Sequence, residues 1–439
     1  MLQLILYYDD IEVTNPLSPK AGTHKLGVFY YAFKNVHPIH LSTLNHFSLA
    51  ALFKSSDANE FGYDPVLRPL VDDLKELENT GIEIDCENFK GTIKVGLAQV
   101  VGDNLGINSL FGFAQGFTAN FLCRKCKVHR DNIRQNTRCQ GVLRTKRNYN
   151  EDLELENLPL TGILCHCLLN ELSSFHVVTN YAPDIMHDIL EGICPLEMKL
   201  VLHYLISNGN LDLGTLNGRI TSYNYGFSYS SNKPCIYSWQ SLLNPDGSSG
   251  QNAAQMWALQ RNIGVMIGDL IPENNEYWEL ILLLWDLMDI IFSPAITPGE
   301  CAFLETLISE HHELFLELFP DRHLKPKHHF ILHYPRAALK IGPLIHYWAM
   351  RFEAKHTFFR RLSHIICNFK NITKSMAYRH QMYQCHQMLS KKAFKNASLE
   401  IGPGSSTLLS VLPDCNLLSN LLGMYPLFGD VFITKWAKV

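Results

Sequence analysis

Carboxylate side chains stand at the ends of two predicted strands. The apolar run at 2–8 is followed directly by Asp9 and Asp10, and the strand pattern at 91–104 reaches Asp103 near its end. Open α/β sheets hold ligands at strand ends, so carboxylates from neighbouring strands can converge on one divalent cation. Phosphoryl transfer with two metal ions needs about three such oxygen donors. The pattern indicates a Mg²⁺ or Mn²⁺ site, with solvated acids in ordinary loops as the alternative. Asp9 is preferred over Asp10 because it ends the strand directly.

A second set of residues has the spacing of a zinc site. Cys123 and Cys126 form a Cys-x-x-Cys pair, which allows two thiolates to bind one tetrahedral ion. Far downstream, His328 and His333 stand five residues apart and would complete a closed Cys₂His₂ site. Two other choices of histidine stay open, namely His329 with His333, or His129 close to the cysteine pair.

A third group of polar residues recurs at helical spacing. Asp184, His187, Asp188 and Glu191 fall at i, i+3, i+4 and i+7, which places them on one face of one helix. The simplest interpretation is an N-cap at Asp184 followed by exposed polar residues.

The elements that must position these residues change along the chain. Residues 1–115 alternate between strand and helix patterns, with strands predicted at 2–8, 24–35, 40–53 and 91–104 and a helix at 65–81. Three strands, a helix and a fourth strand are the opening of a ribonuclease-H-like α/β fold. Helical periodicity then prevails at 184–206, 253–271, 277–291, 301–319 and 345–369, whereas 208–252 is predicted to form loops.

Charge is distributed unevenly, although the net charge of −4 is small. Nine Lys/Arg residues face one acid between positions 124 and 147, and ten face one acid between 351 and 395. Such local basic stretches suit a polyanion on one face, although solvated helix surfaces would give the same pattern. Twelve irregularly spaced cysteines predict an intracellular protein. No signal peptide or membrane span is predicted, since three acids interrupt the apolar run at 277–292.

Four segments then resemble CACTA/EnSpm-type DNA transposases of the CMC superfamily, in the order found in that family. The first segment carries an aspartate, Asn-Pro-Leu and His-Lys-Leu-Gly, and the second carries a Gly-Asp strand end followed by Cys-x-x-Cys. The third segment carries Asp-x-Met-His. The fourth carries histidines, Gly-Pro and an aromatic stretch before a glutamate. These segments are 4–35, 100–130, 182–192 and 328–361. A more distant similarity is to Transib transposases and the catalytic subunit of the V(D)J recombinase.

The resemblance implies a ribonuclease-H-like core split by a long helical insertion that carries a zinc site. Its first part is 1–120, the insertion is 121–344, the closing helices are 345–395, and a tail of weak strand character is 396–439. The catalytic residues would be Asp9, Asp103 and Glu353, which bind Mg²⁺ or Mn²⁺, while Cys123, Cys126, His328 and His333 would bind structural Zn²⁺. Glu191 is a rival for the third acid, but its surroundings lack the basic helix found around Glu353.

The activity implied is cut-and-paste transposition. Water first hydrolyses the DNA strand at the transposon end, and the freed 3′-hydroxyl then attacks target DNA. The expected partners are double-stranded DNA and a second copy of the chain, and the expected location is the nucleus. The residues predicted to bind DNA are Arg124, Lys125, Lys127, Arg130, Asp184, His187, Lys355, Arg360 and Arg361. Because Met1 lies only eight residues before the first acid, we expect no N-terminal DNA-binding domain. The alternative function is therefore a truncated or domesticated descendant that binds DNA or a partner without catalysis.

Overall fold

A computed structural model gives the fold. The structure describes residues 1–13, 24–36, 41, 43–116, 118–367 and 369–390, together with the short segments 400–401, 404–408, 430–434 and 437–438. The Asn-Pro-Leu motif of segment 4–35 lies outside the described residues.

The N-terminal quarter of the chain builds a mixed sheet with three helices and a side hairpin. Its elements are β1 (Leu2–Glu12), β2 (Lys25–Phe33), β3 (Ser48–Lys54), α1 (Ser55–Phe61), α2 (Asp64–Asn79), β4 (Ile82–Cys86), β5 (Phe89–Ile93), β6 (Val95–Val101) and α3 (Asn104–Phe111). The strand order is β3-β2-β1-β6; β1 is antiparallel to β2 and parallel to β6. Strands β4 and β5 pair only with each other. The predicted mixed α/β class is confirmed.

The two faces of the sheet pack against different parts of the chain, because successive side chains of a strand point in opposite directions. From β1, Leu6 and Tyr8 pack with Leu67 and Val71 of α2. Residues of the opposite parity, such as Tyr7, join a much larger core formed by the helices that follow. The central strand is therefore buried on both sides, and its odd-numbered residues face the helical region.

A long, mainly helical region separates the sheet from the last two helices. It begins with the small elements β7 (Cys126–Lys127), α4 (Arg130–Ile133), β8 (Val142–Leu143), α5 (Lys146–Glu154) and α6 (Leu158–Thr161). A π-helix (Met186–Ile193) then runs directly into α7 (Cys194–Ser207). The remaining helices are α8 (Leu213–Ser222), α9 (Gly226–Tyr229), α10 (Trp239–Leu243), α11 (Ala253–Ile267), α12 (Glu276–Ile291), α13 (Pro298–Leu318), α14 (Pro326–Ile331) and α15 (Tyr334–Ile341).

Two final helices return to the sheet. Helix α16 (Ala349–Ile366) packs on β1, and α17 (Ile372–Leu389) packs on β3. Two pairs of short strands follow, β10 (Gly404–Leu408) with β11 (Asp430–Thr434) and β9 (Glu400–Ile401) with β12 (Ala437–Lys438). The return of α16 brings residues about 350 positions apart into contact, as with the hydrogen bond from Ser363 Oγ to the carbonyl of Val13.

Several predicted boundaries need correction. The strand predicted at 91–104 is divided between β5 and β6, because the chain leaves the β4–β5 hairpin at Lys94 before entering the main sheet. The predicted strand at 40–53 begins only at Ser48, after a 3₁₀ turn at Leu44–His46. The predicted loop at 208–252 contains the short helices α8, α9 and α10. No helix among the described residues combines the length and apolar character needed to cross a membrane.

Candidate functional site

The first two predicted acids lie side by side at one end of the sheet. The parallel register pairs Tyr7 of β1 with Val101 of β6, and Asp9 and Asp103 each follow two residues later. Asp103 is the N-cap of α3, with Oδ1 accepting a hydrogen bond of 2.6 Å from the amide of Gly106. Neighbouring strands lie about 4.8 Å apart, so the two carboxylates occupy adjacent positions.

Asp9 is held on the face of the sheet that α16 covers. Its Oδ2 accepts a hydrogen bond of 3.0 Å from Tyr7 Oη and lies 3.2 Å from Nε2 of the buried His356. Burial, aided by Arg360, lowers the pKa of His356 to about 3. The neutral ring therefore donates to Asp9 from Nε2, while Nδ1 is 3.4 Å from Tyr30 Oη. Neither tyrosine nor His356 was predicted, although His356 follows Glu353 by three residues and so shares its side of the helix.

Asp10 points to the opposite face, where its carboxylate already has a positively charged partner. Its carboxylate pairs with Lys25 Nζ at 3.0 Å and accepts a hydrogen bond of 2.8 Å from Ser55 Oγ. The geometry therefore favours Asp9 over Asp10 as the acid that shares a site with Asp103.

Glu353 faces the same site from helix α16. Burial raises the pKa of Glu353 to about 7, and repulsion from Asp9 and Asp184 adds to this effect. Burial likewise raises the pKa of Asp9 to about 6, with repulsion from Asp103 as the second cause. The three predicted acids therefore form one electrostatically coupled group, whose mutual repulsion a divalent cation would relieve.

A histidine on the π-helix contacts the third acid. His187 Nε2 lies 3.4 Å from Glu353 Oε1 and 3.8 Å from Glu191 Oε2, while Nδ1 is hydrogen-bonded to Asp184 Oδ2. Burial opposes protonation of His187, but Asp184, Glu353 and Glu191 together raise its pKa to about 10. A cationic imidazole thus stands beside Glu353 at neutral pH. Glu191 lies at the edge of the same site and remains the rival third acid.

Asp184 is buried and joins two elements of the site. Its Oδ1 accepts hydrogen bonds from the amides of Met186 and Ala349, at 3.1 and 3.0 Å, at the start of the π-helix and of α16. Its side chain is 1% exposed. The predicted contact of Asp184 with DNA is therefore replaced by a structural role, in which this residue aligns His187 with Glu353.

Burial also changes the role of two predicted DNA-binding cations. The Arg124 guanidinium donates to Asn104 Oδ1 at 2.9 Å, to the backbone carbonyl of Asn104 and to Asn108, and it lies over the ring of Tyr181. Lys355 is buried and donates to the carbonyl of Leu44 at 3.2 Å. Both cations are buried and engaged with other parts of the chain, so the structure assigns them a role in the fold rather than the predicted one in DNA binding.

The other predicted DNA-binding cations are more accessible. Arg360 and Arg361 are exposed on α16, and the partly exposed Arg130 donates to the carbonyl of Thr118. Lys127 pairs with Asp152 at 2.7 Å. Lys125 lies 3.7 Å from the centroid of the Tyr181 ring, and burial lowers its pKa to about 7.

The cysteine pair meets two histidines in a buried cluster. Cys123 Sγ lies 3.4 Å from His333 Nε2, and Cys126 Sγ lies 3.3 Å from His329 Nε2. Among the described residues, this is the only set of three or more potential metal ligands whose atoms all lie within 4.8 Å of one another. Two sulfurs and two imidazole nitrogens match a closed tetrahedral zinc site. The carboxylates of the acid group are spaced more widely.

The structure selects His329 over His328 as the partner of His333. His329 and His333 are four residues apart, so one turn brings both Nε2 atoms to 3.2 Å from each other. His328 points elsewhere and lies 3.0 Å from Glu197 Oε1. The prediction that His328 lies with the cysteines was therefore wrong, and the alternative pair, His329 with His333, is the one that lies beside them. His129 lies outside the cluster and is hydrogen-bonded to the amide of Asp131.

Next to this cluster lies a buried acid–histidine network that the sequence did not predict. Glu197 of α7 contacts His311 Nε2 at 2.8 Å as well as His328, and His311 Nδ1 is 3.1 Å from His312 Nδ1. His312 Nε2 donates to the carbonyl of His328 at 2.9 Å. The network therefore ties α7 and α13 to α14, the helix that carries His329.

Comparison with models of known protein families and with curated proteins finds no match. The geometry of the two clusters therefore carries the functional argument.

Proposed function

We propose that the chain is a metal-dependent DNA nuclease and strand-transfer enzyme of the transposase type, built on a ribonuclease-H-like core. The observation that carries this proposal is the placement of Asp9 on β1, Asp103 just beyond the neighbouring parallel strand β6, and Glu353 on the returning helix, whose His356 contacts Asp9 at 3.2 Å. The main sheet supports a ribonuclease-H-like core, since β1, β2 and β3 form an antiparallel succession and β6 lies parallel to β1 on its other side. The helices between β6 and α16 would then be the insertion that splits it.

Each residue of the acid group has a separate task in this proposal. Asp9, Asp103 and Glu353 would hold two Mg²⁺ or Mn²⁺ ions, which when bound activate the attacking water or 3′-hydroxyl and stabilise the leaving oxygen. Tyr7 and His356 fix the orientation of Asp9 through their hydrogen bonds. The positive charge of His187 lowers the pKa of Glu353 and so favours its ionised form against the effect of burial.

The buried Cys₂His₂ cluster would hold structural zinc through Cys123, Cys126, His329 and His333. These ligands come from segments more than 200 residues apart in the chain. The ion would fasten the start of the helical insertion to its end, close to the point where the chain returns to the sheet.

Double-stranded DNA is the proposed substrate, and a homodimer in the nucleus is the proposed assembly, since transposition pairs two DNA ends. Arg360 and Arg361 are exposed on the helix that carries Glu353. They would bind phosphates near the cleavage point with little dependence on sequence.

Nicking of supercoiled plasmid in Mn²⁺ tests this proposal. Asp9→Asn, Asp103→Asn and Glu353→Gln should each lower the rate by at least about 100-fold, because each removes a metal ligand that the transition state requires. Asp10→Asn is the matched control, since Asp10 lies on the opposite face of the same strand, and it should retain activity. Undiminished nicking by Glu353→Gln would refute the site. DNA binding without cleavage by the wild-type chain would favour the catalytically silent alternative.

A further inference from the structure

Two adjoining cavities lie outside the acid group. The larger, of about 640 Å³, is lined by the cations Arg130, Arg134, Arg322 and Lys325, together with His323. The loop at 321–325 and the end of α4 form its walls, where the amide of Leu324 donates to the carbonyl of Arg134. The cavity is thus framed by the zinc-cluster segment on one side and by the approach to α14 on the other.

The second cavity, of about 450 Å³, continues from the first toward the acids. The two share Leu196, Asp246, Lys325 and Pro326, and the second extends to Lys327 and Glu191. Glu191 in turn lies 3.8 Å from His187, the residue that contacts Glu353. One groove therefore runs from the arginines of the first cavity to the edge of the acid group. We call it the basic groove.

The charge of this groove is suited to an anion. Its walls carry five Lys/Arg residues, namely Arg130, Arg134, Arg322, Lys325 and Lys327, and the acids Asp246, Asp321 and Glu191. Arg322 and Lys325 share one partner, Asp246, at 3.1 and 3.0 Å.

The two arginines at the α4 end of the groove differ in their hydrogen-bonding capacity. Arg130 is already engaged, since it donates to the carbonyl of Thr118 and its Nε lies 3.8 Å from Asp131 Oδ1. The exposed side chain of Arg134 has no hydrogen-bond or ion-pair partner among the described residues. Such donors match the oxygens of a phosphate, which a guanidinium can bind in a bidentate manner.

We propose that the basic groove binds the phosphate backbone of the DNA strand that leads to or from the acid group. This inference rests on the proposed function for its choice of DNA as the polyanion. Successive phosphates along a strand match a row of cations that continues for two joined cavities, whereas a single free phosphate would use only one end of it. Lys327 donates to the carbonyls of His187 and Glu191, so it places positive charge where the strand would enter the acid group.

Fluorescence anisotropy of a labelled duplex tests the groove, in Ca²⁺ to prevent cleavage. The test variant is Arg134→Ala/Lys325→Ala, because both side chains are exposed and their loss should not disturb the core. The matched control is Lys90→Ala/Arg147→Ala, which also removes two exposed cations, each paired with an acid, from positions outside both cavities. We expect affinity to fall on the order of tenfold in the test variant, and the slope of log K against log salt to become shallower by about 1.8.

If the test and control variants had the same DNA affinity and the same salt slope, the proposal that the basic groove binds DNA would be overturned. Equally tight binding of a labelled mononucleotide and of the duplex would also overturn it, because neighbouring phosphates must add to the affinity of a strand. These outcomes are separable from failure of the nuclease proposal: if the wild-type chain never cleaves but the groove variant alone loses DNA affinity, the groove stands without the catalytic site.

Discussion

The Asp9 carboxylate is held in place by hydrogen bonds, but its surroundings disfavour its negative charge. Its hydrogen bonds with Tyr7 and His356 hold the carboxylate in place, yet burial and Asp103 raise its pKa to about 6. The folded protein therefore binds a proton at the Asp9 carboxylate more tightly than the unfolded chain does. The ionised carboxylate of Asp9 therefore lowers the stability of the metal-free fold at neutral pH.

Replacing Asp9 by Asn should consequently stabilise the metal-free protein. An acid whose pKa is raised on folding contributes stability below its unfolded value near 4, and this is lost as pH rises through about 6. We expect Asp9→Asn to raise the free energy of unfolding in EDTA by ~1–2 kcal/mol at pH 7.5, with the gain disappearing toward pH 4. Urea denaturation measures this. Asp10→Asn should show no gain, because it breaks the ion pair with Lys25. Equal effects of the two variants would contradict the account.

A second residue-scale prediction concerns His187. Its positive charge lowers the pKa of Glu353, so removing that charge should raise it. In His187→Gln the acidic limb of the pH–rate profile for Mn²⁺-dependent nicking should therefore move to higher pH, in addition to any loss of maximal rate. His364→Gln, an exposed histidine near the end of the same helix as Glu353, is the control. An unmoved acidic limb in His187→Gln would show that the contact with Glu353 has no electrostatic role.

The Cys₂His₂ cluster and the network around Glu197 differed in how far the sequence could predict them. The Cys-x-x-Cys pair restricts two ligands by local spacing alone, but His328 and His329 are equally compatible with His333 until a backbone fixes which ring faces the thiols. The sequence provides no local signal for the contact between Glu197 and His311, because 114 residues separate them. Long-range polar pairs of this kind depend on helix packing, which periodicity does not specify.

Among the elements, α7, α13 and α14 depend on the network around Glu197. Its carboxylate is fully buried between His311 and His328. Glu197→Gln should lower the free energy of unfolding by ~3–5 kcal/mol, since it leaves a buried histidine without its charged partner. Glu310→Gln, at an exposed position of α13, should change it by less than ~0.5 kcal/mol. Urea denaturation of the two variants decides the matter, and similar midpoints would contradict a structural role for the network.

Strand β2 and helix α2 were the easiest elements to predict. Strand β2 is a nearly continuous buried apolar run and α2 buries apolar residues at the helical period, so their predicted and observed bounds are close. Strand β1 was predicted to end before Asp9 but continues to Glu12, because its polar residues remain in register with β2. The β4–β5 hairpin was missed because most of its residues are exposed on both faces, so it carries no alternation of apolar and polar residues. The π-helix at Met186–Ile193 was predicted as part of an α-helix, since five-residue hydrogen bonding has no simple sequence signature.

At the scale of the whole molecule, the Cys₂His₂ cluster joins the two ends of the long helical region. We expect the purified chain to contain about one zinc per molecule, measured by elemental analysis. Cys123→Ser and His329→Ala should lose the metal and lower the unfolding temperature, because a structural zinc contributes directly to folding. His328→Ala should keep the zinc even if it is less stable, since it removes the contacts with Glu197 and with the amide of Lys325 rather than a ligand. Loss of zinc from His328→Ala with retention in His329→Ala would reverse the assignment of ligands.

The overall arrangement depends on the return of α16 to a sheet built from the first quarter of the chain. Sequence patterns predicted both parts separately, but the position of Glu353 relative to Asp9 is a property of tertiary packing alone. That packing brings the helix of Glu353, the strand of Asp9 and the π-helix of His187 to one point. The proposed function requires that the acid group at this position bind divalent cations.

Anomalous diffraction from crystals soaked in Mn²⁺ tests that requirement most directly. We predict strong manganese peaks among the carboxylates of Asp9, Asp103 and Glu353, roughly 4 Å apart if two ions bind together. Crystals of Glu353→Gln should show these peaks weakened or absent, while Asp10→Asn should leave them unchanged. Manganese bound elsewhere, with no peak at the acid group in the wild-type chain, would contradict the central claim.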